Sequence, residues 1–146
     1  MIEEEGKFPP IVVFPEGGTT NGRQILSFKK GAFTALRPVT PVVLKYEYGM
    51  LSPAYDVMPF VPLFIMQCCL YDFKCTVHEL PAFVPNEYLF NNHTNKGQEK
   101  WEIYAECIRE IMAKVGDIKP DETPYREKLR YEVLLGFKKD RQVKQD

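Results

Sequence analysis

Three features of this 146-residue chain predict an α/β fold. Short β-branched runs, Ile11-Val12-Val13 and Val39–Tyr46, are separated by a Gly- and Thr-rich loop. An apolar stripe at helical spacing runs from Trp101 to Val115. Twelve prolines cut the chain into short elements.

Taken in order, Ile11–Phe14 shows no alternation and is expected to be a strand buried on both faces. Residues 15–24 form a loop, and residues 25–33 a short helical or irregular piece that Gly31 is placed to end. Val39–Tyr46 is a second strand, with Pro41 near its start, where the missing N–H is tolerated. Residues 47–56 are turn-like. Residues 57–71 carry no acidic or basic side chain, and their 15 residues fall short of the roughly 20 that a membrane span needs. Pro59 and Pro62 confine helix to the second half of that run, which is either a core helix or a segment lying in a membrane surface. Lys74–Leu80 alternates as a strand, with Cys75 and Val77 on one face, and residues 86–97 read as polar loop. In the helix over 98–115, Trp101, Tyr104, Ala105, Ile108, Ile111, Met112 and Val115 share a face, and Gly116 stops it. Thr123-Pro124 opens a last helix running to about Gly136, followed by a charged tail. The tail's Lys138, Lys139, Arg141 and Lys144 are either solvated or in contact with anionic headgroups. Pairing in the sheet, parallel or mixed, stays open.

Composition narrows the function. The net charge of −1 argues against nucleic acid as partner, and neither GxGxxG nor GxxxxGK[ST] occurs. The acidic start Met1–Glu5 is unlike a secretory signal. Cys68, Cys69, Cys75 and Cys107 have no disulfide-like spacing, which fits a reducing, cytosol-facing location. With His78 they are spaced too irregularly for zinc, so core cysteines and no metal are expected.

The loop Phe14-Pro15-Glu16-Gly17-Gly18-Thr19-Thr20-Asn21-Gly22 is the candidate site. Glycines allow positive φ and close backbone approach, and Glu16 supplies a fixed carboxylate. A plain strand-ending turn is the alternative.

Several blocks agree in order: Pro9–Gly17, Thr20-Asn21-Gly22, Phe28–Phe33, Val39–Tyr46, Leu80–Glu87 and Tyr104-Ala105. Together they resemble the glycerolipid acyltransferases, most closely the lysophosphatidylcholine acyltransferase branch. The resemblance implies residues 1–119 as the C-terminal part of an acyltransferase domain and 120–146 as a helix and charged tail. It implies acyl transfer from acyl-CoA to a lysophospholipid hydroxyl in phospholipid biosynthesis or remodelling, with no further cofactor. The expected setting is a membrane surface, the endoplasmic reticulum with the domain facing the cytosol. By the same resemblance Glu16, Gly17, Thr19, Thr20 and Asn21 bind the acceptor, and Pro41 and Val42 shape the groove.

Two departures stand out. Gly18 and Thr19 occupy the positions where many members carry Thr and a phosphate-binding Arg. Arg23 and Lys29 are replacements by position alone, with solvated surface charge as the alternative. The family's HxxxxD block is absent: Phe83 lies five residues after His78, and Gln98 five after His93. The expectation is a fragment, inactive alone, whose catalytic His and Asp lie upstream. A non-catalytic, membrane-associated lipid-binding remnant is the alternative. A chain starting at Met1 would also leave Ile11–Phe14 without sheet neighbours and poorly soluble.

Overall fold

The computed structural model describes residues 9–49, 52–54, 59–69, 73–92, 98–123 and 125–136. Its elements are β1 (Gln24–Ile25), a 3₁₀ turn (Lys30–Ala32), β2 (Val42–Tyr48), α1 (Phe60–Cys69), β3 (Phe73–Glu79), α2 (Glu87–Asn92), α3 (Lys100–Gly116), β4 (Lys119–Pro120) and α4 (Tyr125–Leu134). The α/β class is therefore met, and pairing is of both kinds. β1 runs parallel to β4, with Gln24 opposite Lys119, and β2 runs antiparallel to β3, with Leu44 opposite Val77. A bridge between Val39 and Phe83 extends the second pair toward the core.

α3 organises that core. A capping box joins Glu99 and Glu102 at its start: each side chain accepts from the other residue's backbone N–H. Ile103, Tyr104, Ala105, Ile108 and Ala113 then bury against Ile25, Phe28, Phe33 and Leu89. Tyr104 has no exposed surface. Its ring meets Phe33 edge-on at 5.4 Å and stacks on Phe83 at 5.8 Å. Its hydroxyl lies 3.0 Å from the carbonyl oxygen of Arg37 and 3.1 Å from that of Phe83, and donates into this pair. One side chain thus closes the core and clamps the chain on either side of the Val39 bridge.

Periodicity placed the stripe's centre correctly but not its edges. Ile103 and Ala113 are buried, whereas Val115 is 40% exposed, because the helix turns its Ala113–Gly116 edge to β2. Gly116 is the last helical residue, and the left-handed conformation falls on Asp117, at φ 52°. Space is the reason for glycine here: a Cβ at 116 would meet Ile118 Cδ1 at 2.8 Å and Val43 Cγ1 at 3.0 Å. Below this, buried Arg109 donates from Nε to Glu106 Oε2 at 3.1 Å and from Nη1 to the Asp121 carbonyl at 3.1 Å, tying α3 to the chain after β4.

Other expectations are corrected. Ile11–Phe14 is neither a strand nor buried, with exposure of 52–83%. β-branched residues supply propensity, but a strand also needs a hydrogen-bonded neighbour, and Pro9 and Pro10 just before it have no N–H to offer. Residues 25–33 hold a strand and then a 3₁₀ turn, with Gly31 inside the turn instead of after it. α1 begins at Phe60, earlier than the prolines suggested, because Pro62 sits in the first turn, where its missing N–H would have had no helical partner. The polar loop over 86–97 contains α2, capped by Asn86, whose Oδ1 accepts from Leu89 N at 2.9 Å. The final helix is present from Tyr125 to Leu134, and Gly136 follows it at φ 77°. Pro124 and the tail lie outside the described residues, as does His93.

Candidate functional site

The turn Phe14–Gly17 closes through a bond from Gly17 N to Phe14 O at 3.2 Å. Gly17 holds φ 71° and Gly22 φ 75°, the left-handed region that glycine enters without penalty. The chain then folds back so that residues 26–29 run beside the turn. Leu26 N donates to Glu16 Oε2 at 3.0 Å, and Lys29 N donates to the Pro15 carbonyl at 2.8 Å. Glu16 is half-buried, and its carboxyl is raised above the usual carboxylate range, because burial outweighs the opposing bond from Leu26. A polarisable acid is thus fixed beside glycine backbone.

The loop's other polar groups turn inward on the chain. Thr20 Oγ1 accepts from Gly22 N at 3.3 Å, and Asn21 Oδ1 accepts from Arg23 N at 3.1 Å. Both bonds are local, each spanning two residues within 20–23. Glu16, Gly17, Thr19, Thr20 and Asn21 therefore share one loop, whereas Pro41 and Val42 belong to the β2–β3 pair. Pro41 is buried and its carbonyl accepts from Leu80 N at 3.0 Å, while Val42 is exposed opposite Glu79.

One neighbour, Lys29, was a candidate by position alone. The Lys29 side chain lies across Gly17: a Cβ there would fall 2.6 Å from Lys29 Cδ and Cε and 2.8 Å from Nζ. It is the positive φ that requires glycine at 17, because the flexible end of Lys29 can shift away from a Cβ at little cost. The signal available in sequence was only that a lysine follows the loop.

A separate open hollow of about 460 Å³ is lined by Ser27, Gln98, Glu106, Arg109, Glu110 and Glu122. Its three carboxylates outnumber its one guanidinium, which Glu106 already engages, so it repels a phosphate. His78 sits on β3 opposite Val43. Cys68, Cys69 and Cys75 are exposed and Cys107 half-buried, all as free thiols, so three of the four are not core residues as their apolar neighbours suggested. Among the described residues no group of three or more His, Cys, Asp or Glu is arranged to hold a metal. None of the described helices is long and apolar enough to cross a membrane. α1 instead exposes Phe60, Val61, Phe64 and Ile65 and buries only Leu63, against its reading as a core helix.

A family model described as Acyltransferase matches residues 3–45, which contain the whole Glu16 loop. Lysophospholipid acyltransferase LPEAT1 of Arabidopsis thaliana is 34% identical over 127 residues, covering 87% of this chain and 30% of that protein. Its relatives are acyltransferases. Lysophosphatidylcholine acyltransferase 1 of Rattus norvegicus is 30% identical over 114 residues, covering 77% of this chain and 20% of its own. Lysophosphatidylcholine acyltransferase of Drosophila melanogaster is 31% identical over 109 residues, covering 73% and 19%. The resemblance to lysophospholipid acyltransferases thus extends over most of this chain, which spans about a fifth to a third of the length of these relatives. No solved structure matches.

Proposed function

We propose that this chain is part of a lysophospholipid acyltransferase and forms the acceptor side of its site. The observation that carries this reading is the Glu16–Gly17 turn, where a half-buried carboxylate and positive-φ glycine backbone meet inside the stretch that matches the family. Glu16 accepts hydrogen bonds from an acceptor hydroxyl, Gly17 lets the acceptor approach the backbone, and Thr19, Thr20 and Asn21 form the rim. Pro41 and Val42 shape the groove wall. Residues 1–119 form this part of the domain, with 120–146 as an appended helix and tail.

The reaction is attack of the lysophospholipid hydroxyl oxygen on the thioester carbonyl of acyl-CoA. A new ester forms, the C–S bond breaks, and the hydroxyl proton passes by way of a base to the coenzyme A thiolate. That base needs an orienting acid. His78 has no Asp five residues on, so the His and Asp are assigned to sequence outside this chain, and the chain by itself is inactive. No cofactor beyond acyl-CoA as co-substrate is invoked. α1 meets the bilayer that supplies the acceptor, since its exposed Phe60, Phe64 and Ile65 suit an interface better than water. The endoplasmic reticulum, with the domain on the cytosolic side, is the setting that fits this acceptor.

The test joins this chain to an upstream segment carrying HxxxxD and assays labelled acyl-CoA with lysophosphatidylcholine. Turnover by the joined protein, reduced at least about a hundredfold by Glu16→Ala, is expected, with none from the chain alone. Turnover by the chain alone, lost in Glu16→Ala, would place the base within these 146 residues. A joined protein that binds lysolipid without transferring acyl groups favours the second reading, a lipid-binding remnant, to which the exposed face of α1 also lends weight.

A further inference from the structure

The exposed side chains of α1 include two neighbouring rows at i, i+4 spacing: Phe60, Phe64 and Cys68 on one, Val61, Ile65 and Cys69 on the other. The Phe60 and Phe64 rings stack at 5.9 Å along the first row. The other side of the helix is held by the protein: Leu63 is buried, and Gln67 Nε2 donates to the Pro53 carbonyl at 2.7 Å. Two free thiols therefore end an outward apolar face. Cysteine is among the residue types most often buried, so an adjacent exposed pair is unusual. α1 also has no Lys or Arg to meet an anionic headgroup. Its apolar face is then a single membrane signal, whereas stable attachment takes two, and a covalent acyl chain is one way to supply the second.

We propose that Cys68 and Cys69 are S-acylation sites, at which a long-chain acyl-CoA supplies that second signal. The cysteine thiolate attacks the thioester carbonyl carbon of acyl-CoA. A new thioester forms on Sγ, the C–S bond to coenzyme A breaks, and the proton given up by the cysteine ends on the coenzyme A thiolate. One thioester replaces another, so no oxidant or reductant is needed. From the end of α1 the acyl chain enters the same leaflet as Phe64 and Ile65. Cys75 is also exposed, but it stands on β3 opposite Tyr46, away from the two rows, and Cys107 is half-buried on α3. Neither is placed for acylation at the bilayer. This assignment rests on the reading of α1 as the bilayer face and does not involve Glu16.

The experiment incubates the 146-residue chain with phosphatidylcholine liposomes and alkyne-tagged palmitoyl-CoA. Hydroxylamine-labile label is mapped by peptide mass, and retention on the liposomes is followed through dilution. Label is expected on Cys68 and Cys69 at about tenfold the level on Cys75, with the labelled chain retained about tenfold better than the unlabelled one. Replacing both residues, Cys68→Ser with Cys69→Ser, should remove the label and the gain in retention, whereas Cys75→Ser should keep both. No label on the pair, label spread equally onto Cys75, or label without better retention each overturns the proposal. So does protection of both thiols from maleimide in the free chain, which would mean that a second copy of the chain covers the two rows. Liposome binding of the unlabelled chain that is absent, or unchanged by Phe64→Glu, defeats the bilayer reading of α1 itself, and the thiol assignment falls with it. The Glu16→Ala turnover test is read on a different product, so the two readings fail separately.

Discussion

Two parts of this molecule are equally apolar in sequence and opposite in structure. Around Tyr104, aromatic and aliphatic side chains from five segments close on one another and leave almost nothing to solvent. Elsewhere Ile11–Phe14, the outer face of β2 and β3 (Val42, Leu44, Tyr46 and Val77), and α1 hold comparable side chains in the open. What separates them is the number of elements converging on each. α3 faces the 3₁₀ turn, α2, β2 and β4, whereas the outer face of the β2–β3 pair has no such partner among the described residues. Hydrophobicity alone does not decide burial. It decides burial where topology supplies a second surface.

Substitutions can widen or close the contrast. The largest effect is expected for Tyr104→Ala, about 3–5 kcal/mol of lost stability in urea unfolding, because it opens a cavity and removes the hydroxyl that the Arg37 and Phe83 carbonyls share. A loss under about 1 kcal/mol would show that the core is looser than its packing implies. Gly17→Ala should cost about 1–2 kcal/mol for its positive φ, with the Lys29 stem displaced as well. Asn86→Ala should remove the α2 cap at about 1 kcal/mol, visible as a lowered Tm. On the open side, Phe64→Glu should leave stability within about 0.5 kcal/mol yet reduce co-sedimentation with phosphatidylcholine liposomes. A destabilisation like that of Tyr104→Ala would mean α1 is core after all.

The smallest expected effect is set by pH. Glu16 has a carboxyl raised by burial. Its contribution to stability is therefore present in full below its unfolded pKa and is lost as pH rises through the raised folded value. Glu16→Gln keeps an acceptor for Leu26 N without the buried charge. It should gain stability over the wild-type chain at pH 7 and lose that advantage near pH 4, as read by paired urea titrations. An equal gain at both values would remove the ionisation argument.

What sequence made legible tracks how local the cause is. β2, β3, α3 and α4 are written in periodicity and in end signals, and each lies close to where those signals put it. α2 was also written, in Asn86 three residues before Leu89, but polar residues on both sides hid it. β1 and β4 were out of reach: two residues have no period, and their pairing is a property of the closed chain. Ile11–Phe14 had strand propensity without a strand's neighbour. In the site, the need for glycine at 17 was readable from the loop. Lys29 was readable only as a nearby charge, because its place depends on the fold-back of residues 26–29.

The parallel pair of β1 and β4 sets an order of events. Gln24 can meet Lys119 only after nearly all the intervening chain exists and has folded enough to bring them together. Contacts of such long range are slow to form, since loop closure must be met before they contribute anything. Leu26, which holds the Glu16 carboxylate, directly follows this late seam. During synthesis the turn therefore emerges well before Lys119 and is set only after it. A ribosome-stalled chain halted before Lys119 should have a formed β2–β3 pair and an unfixed Glu16.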